Sequence, residues 1–176
     1  VVRFDETQKL VIDEFDEIAP AREFRPSSAG VVNELLKSIP EFRRRPGRLL
    51  ICATNFVESI DPAVLRPGRF DLLIGIGPPD QTALTALWQQ AVAPMNKESD
   101  VDPARLAAES HGFTPGDVDL AAQRAAAAAF SRSCADGSTA LVTVEDLLTA
   151  TRRTRASITP TMLEAFTDEV SRFERV

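Results

Sequence analysis

The sequence predicts an α/β protein in which part of a parallel sheet with flanking helices is followed by an all-helical domain. Short apolar runs of β type alternate with helical stretches in the first 79 residues, as in βαβ units. From residue 80 onwards the β-like runs stop and helical patterns with clear start signals take over. The composition, 44% hydrophobic and 26% charged in a chain of 176 residues, is that of a globular protein with enough apolar material for one or two small cores.

Five segments of the first part carry the α/β prediction. The strand candidates are Leu10–Ile12, Leu49–Ala53 and Leu72–Ile76. Between the first two strands, Ala29–Ile39 has apolar residues at helical spacing, which predicts a helix that covers one face of the sheet. A short helix is predicted at Asp61–Leu65, because an aspartate precedes a proline in the first turn.

The second part is predicted to be helical because a residue that commonly caps helix N-termini precedes each of its helical segments. These residues are Asp80, Asp102, Thr114, Thr143 and Thr159. The resulting domains are residues 1–79 for the α/β part, residues 80–156 for the helical part, and residues 157–176 for a C-terminal amphipathic docking helix.

The charge and cysteine content exclude or disfavour several classes of protein. A net charge of -6 disfavours nucleic-acid binding, which needs a surplus of Lys and Arg. No apolar stretch approaches the length of a bilayer span, and the N-terminus lacks the layout of a signal peptide. The two cysteines, Cys52 and Cys134, are far apart in sequence, so we expect free thiols in a cytoplasmic protein. The chain does not begin with Met, and we expect it to be a fragment of a longer protein.

Polar side chains follow two of the predicted strands. Asp13 and Glu14 end the run LVIDE, and Asn55 ends LLICATN. In open α/β sheets ligands bind at the carboxyl ends of the strands. One carboxylate there can hold the water shell of a Mg²⁺ ion, its neighbour can accept a proton from a water molecule, and an amide can orient that water. The alternatives are a simple strand end for the two acids and an Asx turn for Asn55.

Arg66 and Arg69 flank the rigid turn Pro67-Gly68. Two guanidinium groups three residues apart on such a turn are suited to reach a phosphate outside their own domain. The alternative is a surface ion pair with Asp71, which follows closely in the sequence.

The segments LVIDEFDEIAP, VVNELL, LLICATN and DPAVLRPGRFD, in this order and at this spacing, resemble the AAA clade of the AAA+ ATPases over Lys9–Phe130. The resemblance implies part of a P-loop NTPase sheet followed by a helical lid. The resemblance also implies that LVIDE is the Walker B motif. In that motif Asp13 holds Mg²⁺ through water and Glu14 activates the attacking water. Asn55 matches the sensor 1 position. Arg66 and Arg69 match the arginine fingers that this clade inserts into the active site of a neighbouring subunit.

The lid and the phosphate loop bring two departures from the family pattern. Gly112, Thr114, Pro115 and Gly116 match the sensor 2 segment near the adenine, but the family usually has Gly-Ala where this chain has Pro115-Gly116. No GxxxxGK[ST] loop, the Walker A motif, is present in the sequence. In the family the Walker A strand lies between the sensor 1 strand and the strand that follows the arginines. The resemblance therefore implies that Leu49–Ala53 and Leu72–Ile76 lack their shared neighbour, which leaves either a gap or a strand from outside the chain.

The resemblance implies a ring-forming, hexameric motor that uses ATP and Mg²⁺ to remodel or unfold protein substrates. Without a Walker A loop, we expect this chain alone to be inactive. Two alternatives stay open: a protein-interaction scaffold that does not hydrolyse ATP, and a DNA-linked AAA+ loader, which the acidic charge disfavours.

Overall fold

A computed structural model describes residues 2–4, 9–21, 23 and 26–175. The chain divides into two units, the first formed by Val1–Gly75 with Val170–Val176 and the second by Ile76–Glu169. The first unit is α/β and the second is helical, as the sequence predicts. The domain boundaries expected at residues 79 and 156 stay predictions.

The first unit contains three strands in its described residues. The elements are β1 (Val2–Phe4), β2 (Lys9–Ile12), α1 (Phe15–Ile18), a 3-10 turn (Pro26–Ser28), α2 (Ala29–Arg43), β3 (Leu49–Cys52) and a second 3-10 turn (Val57–Ser59). Strand β2 is central: it pairs antiparallel with β1 and parallel with β3, with Ile12 opposite Cys52. The predictions of strands β2 and β3 and of helix α2 are confirmed, although α2 continues four residues beyond the predicted end at Ile39.

The far edge of β3 has no strand partner among the described residues. Leu49 and Ile51 on this strand are 49% and 44% exposed. The core of the unit instead lies between the sheet, α1, α2 and the turns after β3. Its buried residues are Ile12, Phe15, Ala19, Val32, Ile39, Ile60 and Val64.

Two predictions for the first unit are wrong. Leu72–Ile76 is not a strand, and within it only Leu73 forms a β-bridge, antiparallel to Arg175. An apolar run becomes a strand only where a neighbour supplies backbone partners, and the described residues supply one at Leu73 alone. Asp61–Leu65 is a hydrogen-bonded turn rather than a helix: Asp61 caps it through the Ala63 N–H at 2.8 Å, but Pro67-Gly68 follows before a helix can extend.

The second unit is built from helices. They are α3 (Gln81–Val92), α4 (Pro103–Ala108), α5 (Pro115–Asp136), α6 (Val144–Arg153) and α7 (Pro160–Phe173), whose last turn belongs to the first unit. All five begin directly after the predicted capping residues. Thr114 and Thr143 each form a capping box with the aspartate three residues later, which satisfies N–H groups that the first helical turn leaves unpaired.

Helices α3 to α6 enclose the core of the second unit. Trp88, the single tryptophan, is fully buried there, and its Nε1 donates a 2.8 Å hydrogen bond to Ser110 Oγ. Ser110 Oγ in turn donates to Leu106 O at 2.7 Å, so the polar atoms of this pair are satisfied inside the core. Across the described parts of the chain, no helix combines the length and apolar character needed to cross a membrane.

Candidate functional site

The parallel pairing of β2 and β3 brings the two predicted polar strand ends to one edge. The ladder continues past the strands, since Ala53 N donates to Ile12 O and Phe15 N donates to Ala53 O, both at 2.9 Å. Asp13 and Glu14 lie between these two bonds on one side, and Asn55 follows two residues after Ala53 on the other. The structure therefore places the three predicted side chains at the same carboxyl edge of the sheet.

Glu14 occupies an unusual backbone position at this edge. Its φ of 54° and ψ of 48° lie in the left-handed region, the only positive φ of a non-glycine residue among those described. This conformation costs an L-residue about 1–2 kcal/mol, and such strain is concentrated at functional sites. Asp13 stabilises the turn, because its Oδ1 accepts the Glu14 N–H at 3.0 Å. Both side chains are exposed.

A hydrogen bond that the sequence did not predict joins the two strand ends. Thr54 Oγ1 donates to Asp16 Oδ1 at 2.6 Å and accepts the Phe56 N–H at 3.0 Å. Asp16 lies in α1, two residues after Glu14, so this pair fixes the loop that carries Asn55 against the loop that carries Glu14. Asn55 itself is exposed and has no hydrogen bond to the described residues. Asp16 sits in the acidic run DEFDE, which was the available sequence signal.

Arg66 and Arg69 have different surroundings on their shared turn. The side chain of Arg66 is exposed and has no hydrogen bond or ion pair to the described residues. Arg69 is partly buried, and its Nη1 donates to Ala63 O within the same segment. Neither arginine forms the ion pair with Asp71 that was the alternative interpretation. The Asp71 carboxylate pairs with Arg43 instead. Arg66 is therefore the arginine whose guanidinium is available to a partner.

The predicted sensor 2 residues lie in the second unit, where two of them have clear structural contacts. Gly112 has a φ of +74°, and its carbonyl accepts the Ile158 N–H at 3.1 Å. Thr114 N and Oγ1 both donate to Asp117 Oδ2, at 2.8 and 2.9 Å. Ser157 Oγ donates to Asp117 Oδ1 at 2.7 Å. Burial acts to raise the pKa of Asp117, but the hydrogen bonds from Thr114 and Ser157 outweigh it and lower that pKa.

Pro115 lines an open, mostly apolar groove of about 460 Å³ within the second unit. The groove is also lined by Ile76, Gly77, Pro79, Ala83, Ala86, Leu87 and Gln90. Gly116 is exposed at the start of α5 and lies outside this lining. Of the predicted sensor 2 residues, Pro115 is thus the one that faces a concave surface.

The other reactive groups among the described residues are metal-ligating side chains and thiols. Nowhere among them do three or more His, Cys, Asp or Glu side chains converge as a metal site. Burial raises the pKa of the Cys52 thiol to about 12, so it stays protonated near neutral pH and behaves as a small apolar side chain.

Several known proteins are similar in sequence to this chain. The model of the "ATPase family associated with various cellular activities (AAA)" matches residues 3–78. Protein CdcH of Halobacterium salinarum is 36% identical over 130 residues, 73% of this chain and 18% of that protein. The ATP-dependent zinc metalloprotease YME1 homolog of Caenorhabditis elegans is 32% identical over 120 residues, 66% of this chain and 17% of that protein.

The longest of these matches extends into the helical unit. The ATPase family gene 2 protein of Saccharomyces cerevisiae is 33% identical over 160 residues, 89% of this chain and 20% of that protein. The chain thus spans about a fifth of the length of the curated relatives it matches. The matched residues 3–78 contain the strand ends with Asp13, Glu14 and Asn55 and the turn with Arg66 and Arg69. On these matches, the chain belongs to the AAA family of ATPases.

Proposed function

We propose that this chain supplies the water-activating and arginine-bearing part of a ring-forming motor that hydrolyses ATP and uses the energy to remodel or unfold proteins. The observation that carries the proposal is the common edge of β2 and β3, which holds two acids and one amide with exposed side chains. The names of the relatives support it, since one is an ATP-dependent zinc metalloprotease and another an ATPase family protein.

In this proposal Asp13 holds the hydration shell of Mg²⁺. The carboxylate fits that role: it is exposed, has no cationic partner among the described residues, and is oriented by the Glu14 N–H. When bound, Mg²⁺ would neutralise charge on the β- and γ-phosphates of ATP. A single carboxylate suffices, because Mg²⁺ keeps several waters and takes its other ligands from the substrate.

Glu14 acts as the general base and Asn55 orients the water. As the water oxygen bonds to the γ-phosphorus, the bond from that phosphorus to the β–γ bridging oxygen breaks, and Glu14 accepts the proton of the water. ADP leaves with the bridging oxygen. The Thr54–Asp16 hydrogen bond keeps the loops of Asn55 and Glu14 together, which fixes the position of the water between an acceptor and an amide.

Arg66 and Arg69 act on the nucleotide of a neighbouring subunit in the ring, which we propose to be a hexamer. Arg66 is the principal finger because its guanidinium is exposed and unpaired among the described residues, whereas Arg69 donates to Ala63 O and shapes the turn. The sensor 2 segment from Gly112 to Gly116 lies near the adenine, and the apolar groove beside Pro115 supports that placement.

Mixed rings test this proposal in the full-length protein that contains this chain. Arg66→Ala and Glu14→Gln proteins are purified separately, and each is expected to have little ATPase activity. When they are mixed under conditions of subunit exchange, an intact Glu14 site meets an intact Arg66 from its neighbour, and activity should return. Arg45→Ala is the matched control, because Arg45 is an equally exposed arginine in another loop.

The outcomes separate the proposal from its alternatives. Confirmed exchange without recovery of activity would refute action between subunits. Near-normal turnover by Arg66→Ala would refute the finger. Absence of ATPase activity from the full-length protein would favour the scaffold. Activity that is insensitive to Glu14→Gln would refute the role of Glu14 as the general base.

A further inference from the structure

The last residues of the described chain contact the turn that carries Arg66 and Arg69. Arg175 Nη2 donates hydrogen bonds to Leu65 O at 2.7 Å and to Phe70 O at 2.6 Å, and both bonds are partly buried. Its Nε lies 3.4 Å from Asp71 O. The acceptors of the two shorter bonds, Leu65 O and Phe70 O, are the carbonyls immediately before Arg66 and immediately after Arg69. One guanidinium group therefore joins the two ends of the arginine-bearing turn.

Backbone bonds hold Arg175 in place. Arg175 N donates to Leu73 O and Leu73 N donates to Arg175 O, both at 2.9 Å, which forms the antiparallel bridge described above. Two neighbouring residues attach the same segment to the first unit: Arg172 forms an ion pair with Glu58, and Glu174 Oε1 accepts the Gly75 N–H at 3.4 Å. Arg175 is thus a fixed donor rather than a freely moving surface side chain.

The side chains at the two ends of the turn, Leu65 and Phe70, pack against the core of the first unit, but the exposed residues between them make few contacts. Arg66, Pro67 and Gly68 are exposed, and a Cβ on Gly68, whose φ is +89°, would have no atom within 4 Å. Within the turn, Arg69 N donates to Arg66 O at 3.2 Å, and the Arg69 side chain donates to Ala63 O. Without Arg175, the two carbonyls that bracket the turn would lose their bridging donor, and the direction in which Arg66 projects would be less well defined.

We propose that Arg175 is a positioning residue for the Arg66 finger, holding both ends of its turn so that Arg66 is presented at a constant angle to a neighbouring subunit. The inference rests on the proposed function. An arginine is required because its planar fork offers five N–H donors in fixed directions, whereas a lysine ammonium is a compact charge on a flexible stem. In this proposal Arg175 acts through Arg66 and is not itself a catalytic residue.

A double-mutant cycle in the full-length protein tests this inference. Steady-state kcat and KM for ATP are measured for wild type, Arg175→Ala, Arg66→Ala and the double variant. We expect Arg175→Ala to lower kcat about 10- to 100-fold, the effect of misplacing a catalytic group by an ångström or less. The KM should change little, because the finger stabilises the transition state rather than the bound ATP. The double variant should be no slower than Arg66→Ala, since Arg175 then has nothing to position.

Two further variants separate positioning from general stability. Arg172→Ala removes a neighbouring cation whose partner is Glu58 rather than the turn. Because that ion pair is exposed and the backbone bonds between Arg175 and Leu73 remain, the variant should retain near-wild-type kcat. Arg175→Lys keeps the charge without the fork and should lose most of the rate that Arg175→Ala loses. Ring assembly of every variant is measured by analytical ultracentrifugation.

Each result decides between the two proposals. If Arg66→Ala has normal turnover, the proposed function fails, whatever Arg175 does. If Arg66→Ala is slow and Arg175→Ala is not, the positioning role is refuted while the finger stands. A double variant slower than Arg66→Ala also refutes it, because Arg175 then acts elsewhere. Failure of both Arg175 variants to form rings would leave only a structural role and overturn the inference.

Discussion

Replacement of Gly112 by alanine should destabilise the helical unit far more than the same replacement at Gly137. Both glycines have left-handed backbones, with φ of +74° and +72°. That conformation costs alanine about 1–2 kcal/mol at either position. Only Gly112 has a close neighbour: its added Cβ would lie 2.7 Å from Ile158 O, whereas a Cβ on Gly137 would meet nothing within 4 Å.

The magnitude follows from these contacts. A 2.7 Å approach to a backbone oxygen forces a shift, and overpacking of this kind costs about 1–3 kcal/mol. Moving Ile158 away would also weaken its N–H bond to Gly112 O, worth about 1 kcal/mol. We therefore expect a loss of about 1–2 kcal/mol in the free energy of unfolding for Gly137→Ala, and a loss about 1–4 kcal/mol larger for Gly112→Ala.

Urea unfolding of the chain measures this difference directly. Trp88 is the single tryptophan and is fully buried in the same unit, so its fluorescence reports the unfolding of the helical core. Equal losses for the two variants would refute the steric argument, because they would show that only the backbone conformation matters.

The result also bears on the predicted adenine contact. If Gly112→Ala in the full-length protein lowers ATPase activity, the loss supports that contact only if the variant is still folded at the assay temperature.

Two further predictions concern the same unit. Ser110→Ala leaves the Trp88 indole N–H buried without its acceptor and should cost about 1–3 kcal/mol in urea unfolding, whereas the exposed control Ser138→Ala should cost much less. The Arg132 hydrogen bond, against a smaller opposing effect of burial, lowers the pKa of Asp146 to about 2. The stability that the ionised Asp146 carboxylate contributes is complete above its pKa in the unfolded chain and is lost as the pH falls through about 2. The urea midpoint of wild type should therefore be higher than that of Asp146→Asn near neutral pH, and the difference should disappear in acid. A difference that persists unchanged at the lowest pH would contradict this linkage.

The helix starts were the most predictable part of the fold because they depend on neighbouring residues. Thr114 and Thr143 each cap a helix through bonds to an aspartate three residues away, and these positions can be read directly from the sequence. The strands at Leu10–Ile12 and Leu49–Ala53 were also predictable, because they combine an apolar run with polar residues at the carboxyl end. The candidate site follows from those strand ends.

The features that could not be predicted depend on residues distant in sequence. Leu72–Ile76 has the composition of a strand, yet a strand also needs a partner, and only Leu73 finds one, at Arg175. The bond from Arg175 to Leu65 spans 110 positions of the chain, and the bond between Thr54 and Asp16 spans 38. No local pattern in the sequence encodes such pairs.

The surroundings of the predicted site residues indicate how their substitutions should differ. The side chains of Asn55 and Arg66 are exposed and have no partners among the described residues, and the exposed Asp13 side chain accepts only the N–H of the next residue, so the fold gains little from the three. Gly112 and Thr114 are instead committed to the packing and capping of the helical unit. Substitution of the first group should therefore lower activity at nearly constant stability, whereas substitution of the second should lower stability itself. Because a loss of activity alone does not distinguish these cases, the unfolding free energy has to be measured for each variant before a catalytic role is assigned.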